Sequence, residues 1–328
     1  MCYNLIVLRF LVIGGKTLNT NNFINDIFML FLSVSIILFT VILLGWLVYN
    51  RLFLRGLSLK DVLFKKNSLT IWLEFIGGFL IPALFLVSML MVPSGKFIYQ
   101  GKFVDLLAII SYIIIYILIL SLFRYLASKA IKLIGKWTLK YEIDLEDEIF
   151  KQENIAASLF SISISTLVIG MLLQENFFAE NLFTNLIRIG LVFIMTLGLL
   201  SVHKTLFYPK HSSLFKELFI DDNVCAGILL LGHTIAVNLI IFSSIEWFRI
   251  PASGWYNIFN IIDVTIFICV IYLIMIVFVS GSKLVMNAIL AIDIDHQLFE
   301  ENNVGYSILE SSFYIMLSII IINGLFIK

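Results

Sequence analysis

The sequence predicts an all-α integral membrane bundle of eight transmembrane helices, arranged as four parallel two-helix repeats. Composition is the first indication: 61% of the 328 residues are hydrophobic and only 13% are charged, which leaves too little polar material to cover a water-soluble fold. The second is length, because several apolar runs reach the roughly 20 residues that a helix needs to cross a bilayer. The third is an acidic stretch ending in asparagine that recurs before alternate apolar runs.

The recurring acidic stretch is clearest at residues 144–154, and related segments occupy 213–223, 293–303 and, more weakly, 61–67. Asp144, Ser213 and Asp293 are good N-caps, so each stretch is predicted to form a short surface helix that turns into the next span. Aligned on the final asparagine, every copy has an acid or an amide six positions earlier, followed by two apolar residues. The register asparagines are Asn67, Asn154, Asn223 and Asn303, and the residues six positions earlier are Asp61, Glu148, Glu217 and Gln297.

The predicted spans follow in order along the chain. Spans one to three cover about residues 27–49, 69–92 and 103–125, and a basic segment at 129–140 leads into the main acidic stretch. Spans four to eight begin near residues 154, 185, 223, 260 and 303. The four repeats are then 23–92, 93–180, 181–250 and 251–328. Residues 1–22 are not expected to be a signal peptide, because Arg9 interrupts their apolar run and they lack a small-residue cleavage site. We expect them to form an interfacial or disordered segment.

The distribution of basic residues predicts the orientation. Fifteen Lys and Arg residues follow odd-numbered spans and six lie on the other side, with Arg188 inside a span. Basic residues favour the cytoplasm, which predicts cytoplasmic acidic stretches and both termini in the periplasm. All four pairs then point the same way, so the repeats are parallel rather than inverted.

Polar residues inside the even-numbered spans are the candidate functional groups. Positions seven, eleven and fifteen after each register asparagine share one helical face, and three of the four spans carry polar or small residues there. Helix packing is a sufficient explanation for Asn, Ser, Thr and Gly. Glu74 and Glu310 share the first of these positions, about two turns inside their spans, where an acid is costly. We therefore expect these two acids, with the register asparagines, to handle protons or cations.

Two further sets of charged residues are candidates for a structural or binding role. Arg188 and Asp263 are predicted at similar depth, which favours an ion pair that clamps spans five and seven. The carboxylates at the start of the main acidic stretch either keep this end hydrated or dock a basic partner. They are Asp144, Glu146, Asp147 and Glu148.

Several function classes are disfavoured by the sequence. The net charge is zero, so the sequence lacks the excess of basic residues that is typical of nucleic-acid-binding proteins. The four histidines and three cysteines lack metal-ligand spacing, and no phosphate loop or nucleophile elbow is present. We therefore expect no catalytic activity, no cofactor and no metal. A membrane-embedded enzyme acting on lipid ranks last because no catalytic cluster is evident.

The acidic stretch and the small residues after it, 144–157, resemble the YjfL-like family of bacterial inner-membrane proteins, a domain of unknown function built from helix-pair repeats. The resemblance extends over the chain after residue 22, and the first unit departs from it at Lys65 and Lys66. It implies a location in the bacterial inner membrane and supplies no activity.

Two functions remain open at this point. The leading one is ion or proton-coupled permeation through a polar path between the repeats. The alternative is a non-catalytic membrane scaffold or stress-response sensor that docks partners through its cytoplasmic acidic helices. Expected partners are the lipid bilayer, a second copy of the chain and an unidentified protein.

Overall fold

A computed structural model describes residues 35–36, 39–48, 68–84, 103–172, 214–248, 258–290 and 293–326. All regular secondary structure within these ranges is helical, which agrees with the predicted all-α class. Single π-helical turns at Ile76–Leu80 and Gly135–Leu139 extend α2 and α3. The helices are α1 (Phe39–Val48), α2 (Leu69–Phe75), α3 (Phe103–Ile134), α4 (Leu145–Phe150), α5 (Ile155–Leu172), α6 (Leu214–Phe219), α7 (Val224–Phe248), α8 (Ile258–Leu290), α9 (Ile294–Phe299) and α10 (Val304–Phe326).

Within the described ranges, three helical segments are long and apolar enough to cross a membrane: Ile113–Trp137, Cys269–Ile289 and Val304–Gly324. They correspond to predicted spans three, seven and eight, and they support a membrane protein. Shorter apolar helical segments coincide with predicted spans one, two, four and six. Predicted span five and residues 1–22 lie outside the described residues. A total of eight spans in four repeats stays a prediction.

Helix α3 is longer than its predicted span. The basic segment at 129–140 was expected to lead into the acidic stretch, but the helix continues to Ile134 and a π-helical turn reaches Leu139. Lys140 then adopts a left-handed conformation, with φ of 54°, and ends the helix. Lysine is a good helix former, so a basic segment beside an apolar run does not by itself end a helix.

Three short helices each precede a long one with the same local geometry. Helices α4, α6 and α9 each contain six residues, and a four-residue turn joins them to α5, α7 and α10. The third residue of each turn has a positive φ, the left-handed conformation that commonly follows the end of a helix. These residues are Glu153 (60°), Asp222 (46°) and Asn302 (52°).

Helices α2, α5, α7 and α10 pack side by side as a row, each against the next. Glycines allow close approach along it: Gly77 faces Ile162, and Gly232 faces Ser311. Helix α3 packs against α5, and α8 packs against α7 and α10. Large apolar side chains on the outer faces of α3 and α8, such as Leu118, remain exposed, as expected for helices that face lipid.

Candidate functional site: buried polar and charged clusters

Three of the register asparagines, Asn154, Asn223 and Asn303, directly precede long helices. The side-chain oxygens of Asn154 and Asn223 accept hydrogen bonds from the backbone N–H groups of Ala157 (2.7 Å) and Ala226 (3.2 Å), three residues later. In the last copy the oxygen of Asn303 accepts from a backbone N–H two residues later, at 3.1 Å. Each asparagine thus satisfies one of the N–H groups that a helix start leaves without an intrahelical partner.

The residue six positions before each of these three asparagines is its hydrogen-bond partner. Asn154 donates to the Glu148 carboxylate (3.4 Å), and Asn223 donates to that of Glu217 (3.0 Å). In the last copy, Asn303 Nδ2 donates to the Gln297 amide oxygen at 2.9 Å. This contact gives a physical reason for the spacing seen in the sequence, because it fixes the angle between each short helix and the long helix that follows.

The positive-φ residue of each turn reaches the neighbouring helix of the row. Asp222 Oδ1 accepts from the backbone N–H of Ala156 at the start of α5 (3.3 Å). Asn302 Oδ1 accepts in the same way from the backbone N–H of Cys225 at the start of α7 (3.2 Å). Burial raises the pKa of the Asp222 carboxyl, and the hydrogen bonds it accepts from backbone N–H groups oppose that shift. The turns therefore connect adjacent members of the row.

A buried charge cluster joins α2, α3 and α4. Arg124 binds Glu146 through two hydrogen bonds of 3.0 Å, and its remaining terminal nitrogen binds Oε1 of Glu74. The three residues are 2%, 7% and 0% exposed, in that order. Ser161 of α5 donates to the same Glu74 oxygen at 2.8 Å, and the guanidinium lies 5.7 Å from the ring centre of Phe150. The cluster is the interior meeting point of four helices and one aromatic ring.

The chemistry of this cluster is that of a clamp. A planar guanidinium forms two parallel hydrogen bonds with one carboxylate, which fixes direction as well as distance. Removing charges from water is costly, and the attraction between opposite charges offsets that cost only where the geometry is good. The two carboxylates share one cation, so the cluster has spare negative charge in its fully ionised form.

A second charge cluster joins α8, α9 and α10. Lys283 Nζ lies 2.9 Å from Glu310 Oε2 and 3.1 Å from Asp295 Oδ1. Glu310 and Glu74 both stand seven residues after a register asparagine, and Asp295 and Glu146 both stand eight residues before one. Burial raises the pKa of the Asp295 carboxyl, and the Lys283 ammonium opposes the shift. This cluster is more open to the surface than the first, because its lysine and aspartate are only partly buried.

Other polar residues of the even-numbered spans also contact neighbouring helices. Asn238 of α7 donates to the backbone oxygen of Thr166 in α5 at 2.8 Å. His233 Nδ1 lies 2.7 Å from the Tyr272 hydroxyl, and its ring centre lies 3.8 Å from that of Tyr314. These contacts tie α7 to α5, α8 and α10. They match the packing explanation for such residues.

The structure leaves some predicted residues untested. Asn67 and Arg188 lie outside the described residues. Asp263 belongs to α8, but its side chain is outside the described part of the chain. The Arg188–Asp263 ion pair therefore stays a prediction. Across the described ranges no group of three or more His, Cys, Asp or Glu residues could hold a metal ion.

The four carboxylates predicted to dock a partner divide into two pairs. Asp144 caps α4 by accepting from two backbone N–H groups, and Asp147 pairs with Lys151 at 2.8 Å. Both keep part of their surface open. Glu146 and Glu148 are buried and bond within the protein, and burial raises the pKa of the Glu148 carboxyl. A docking role for the set stays a prediction, and it depends most on the first pair.

Sequence reasoning missed four of the residues that make these contacts. The count of basic residues places Arg124 and Lys283 among the cytoplasmic surface charges, although each adjoins an apolar run at a depth similar to that of the buried acid it binds. The depth match with Glu74 and Glu310 was the available signal. Asp222 and Asn302 precede the register asparagines directly, and nothing in the alignment of the copies indicated that they contact another helix.

Comparison with known proteins gives a family match over part of the chain. Residues 177–325 match the family described as Domain of Unknown Function (DUF350). The match includes α6 to α9 and nearly all of α10. No curated protein and no solved structure matches the chain. An uncharacterised-domain family is thereby supported, while the narrower YjfL-like resemblance and the helix-pair repeats stay predictions.

Proposed function

We propose that the chain is a non-catalytic scaffold of the bacterial inner membrane, with eight spans in four parallel two-helix repeats and both termini in the periplasm. The observation that carries this proposal is that polar side chains inside the row form hydrogen bonds between neighbouring helices. Ser161 donates to Glu74 and Asn238 donates to the Thr166 carbonyl, so both join one helix to the next. A polar path would instead require such groups to face water.

Physical chemistry favours this use of polar groups. Lipid is as apolar as a leucine side chain, so apolar faces alone give helices little reason to prefer one neighbour over another. Hydrogen bonds and ion pairs at defined depths supply that preference. The Arg124 cluster selects α2, α4 and α5 as neighbours of α3, and it does so with good bidentate geometry. A fixed helix order is what a docking platform needs.

The proposed docking surface lies at the end of the bundle that carries the short helices. Asp144 and Asp147 of the main acidic stretch are partly exposed there. Asp221, Glu300 and Glu301 of the other two turns are exposed as well. This surface would present acidic groups to a basic cytoplasmic partner or sensor component.

Permeation of a proton or cation is the second candidate. It is favoured by the second charge cluster, where Lys283 and Glu310 line a small surface pocket with Tyr306 and Phe313. The cluster holds two carboxylates and one ammonium, which gives it spare negative charge. Glu74 and Glu310 would then be the groups that exchange ions.

A flux measurement separates the two candidates. The purified protein is reconstituted into phospholipid vesicles that contain a pH-sensitive dye, and proton entry is followed after a potential is imposed. The scaffold predicts the same flux in protein-containing and protein-free vesicles. Flux that requires the native protein and is lost in both Glu74→Gln and Glu310→Gln would establish permeation and refute the scaffold.

A further inference from the structure

The outer face of α3 changes character toward its C-terminal end. Exposed residues follow one another along this face in steps of three or four, as side chains on one side of a helix do. In chain order they are Leu118, Leu122, Tyr125, Lys129, Leu133 and Lys136. The same side of the helix is therefore apolar at first, and then it combines lysines with apolar and aromatic residues.

The basic part begins where a membrane-spanning segment of ordinary length ends. A helix crosses the hydrocarbon layer with about 20 residues, and Arg124 is the one charged residue in the segment 109–128. Arg124 is buried and bound to acids inside the protein, so it does not face lipid. The ammonium of Lys129 lies 5.3 Å from the ring centre of Tyr125, one turn earlier. Tyrosine is enriched at the membrane boundary, which places Lys129 near the headgroups.

Lysines give this end of α3 an excess of positive charge. Four of them lie between residues 129 and 140, and Glu142 is the one acid between residues 129 and 143. Its carboxylate pairs with both Lys132 and Lys136. Among the described residues, Lys129 and Lys140 have no carboxylate partner, and both are exposed. The segment can therefore accept a further negative group.

Aromatic side chains between these lysines are also open. Trp137 is 81% exposed and Tyr141 is 48% exposed. Each combines a large apolar ring with one polar group, so both are stable at the boundary between lipid tails and water. Leu133, one turn before Trp137, is 55% exposed as well. Apolar surface of this size beside lysines suits the headgroup layer better than bulk water.

Helix α8 shows that a basic and aromatic end is not general to the outer helices. Its last residues, 284–290, include exposed Leu284 and Ile289 but no basic residue. The lysine that precedes them, Lys283, is bound by Glu310 and Asp295. The charge at the end of α3 is therefore a property of that helix.

We propose that residues 129–141 bind the headgroup of an anionic phospholipid. A cluster of four or more basic residues directly after a membrane-spanning helix attracts anionic headgroups. Lys129 and Lys140 would contact the phosphate, while Leu133 and Trp137 would contact the upper part of the acyl chains. The face continues the lipid-facing side of α3, so a lipid reaches it directly. An acidic soluble protein would match the charge but would not explain this continuity with the lipid-facing surface.

Native mass spectrometry of the detergent-solubilised chain tests the proposal. The protein is mixed with equal amounts of phosphatidylglycerol and phosphatidylcholine that have the same acyl chains, and the ratio of the two bound lipids is measured. The native chain should retain phosphatidylglycerol in preference. Replacing Lys129 and Lys140 by glutamine should lower that preference about fivefold for each lysine removed. Replacing both by arginine, which keeps the charge, should preserve it.

A double variant of the short helices is the matched control. Lys151→Gln with Lys216→Gln removes the same charge from side chains that are 62% and 44% exposed away from α3, and it should leave the lipid preference unchanged. Equal retention of the two lipids by the native chain would overturn the proposal. An equal loss in the control would also overturn it, because net charge would then explain the preference. Displacement of the lipid by an equal concentration of inorganic phosphate would indicate a free-anion site instead and contradict the proposal.

Discussion

Replacing Arg124 by leucine removes the guanidinium that joins Glu74 to Glu146. The residue is 2% exposed and donates three hydrogen bonds to two carboxylates. Its loss leaves both acids buried side by side without their shared cation. Breaking a buried ion pair by removing one partner costs about 3–5 kcal/mol, and we expect Arg124→Leu to lower the free energy of unfolding by about this amount.

The assay is reversible unfolding in mixed detergent micelles, followed by tryptophan fluorescence. Lys151→Met is the matched control, since Lys151 pairs with Asp147 at the surface and such a pair contributes about 0.3–0.5 kcal/mol. The triple variant Arg124→Leu, Glu74→Gln, Glu146→Gln should recover much of the loss, because it no longer buries uncompensated charge. If Arg124→Leu lowered the free energy of unfolding as little as Lys151→Met does, Arg124 would not be holding these helices together.

Three further predictions use the same unfolding assay. Asn223→Ala should cost about 1–2 kcal/mol, since it removes a helix cap and the donor to buried Glu217. Asn223→Ser keeps a cap acceptor without adding a charge beside Glu217, so it should cost less; equal losses would contradict the cap. Gly232→Ala should lower the free energy of unfolding by about 1–3 kcal/mol, because the added Cβ would lie within 3 Å of the Ser311 backbone. Gly281→Ala is the control: this glycine has open space around it, so the substitution should be neutral or stabilising. The pKa of Asp222 is raised on folding, so the folded state binds more protons than the unfolded state between about pH 4 and the folded-state pKa. The contribution of Asp222 to the free energy of unfolding therefore falls as pH rises through that window. Asp222→Asn should remove this part of the pH dependence; a pH profile of unfolding free energy that is unchanged in the variant would contradict the prediction.

Helical class and the three recurring turns could be predicted because they depend on local chemistry. Asn154 and Asn223 act on residues within six positions of themselves, and an alignment of short copies captures such contacts. The depth of Glu74 and Glu310 also followed from the register.

The partners of those acids could not be predicted, because they come from distant parts of the chain. Arg124 is 50 residues from Glu74, and the sequence does not show which face of α3 turns inward. The rule that predicts orientation from Lys and Arg counts treats every basic residue near a span end as a surface charge. That rule fails for Arg124, since a buried pair stabilises it inside the protein. The capping of α5 by Asp222 was hidden for the same reason, because it depends on which helices are neighbours.

The most direct measurement of the central claim, that the interior of the row is packed and dry, is the reactivity of a cysteine at position 161 in native membranes. Ser161 is 2% exposed and bonded to Glu74, and cysteine is close to serine in size. A packed row predicts that Ser161→Cys resists a membrane-impermeant, water-soluble thiol reagent applied from either side, while Glu142→Cys at the exposed end reacts readily. Labelling of Ser161→Cys at a rate comparable to that of Glu142→Cys would show water beside Glu74 and contradict the account.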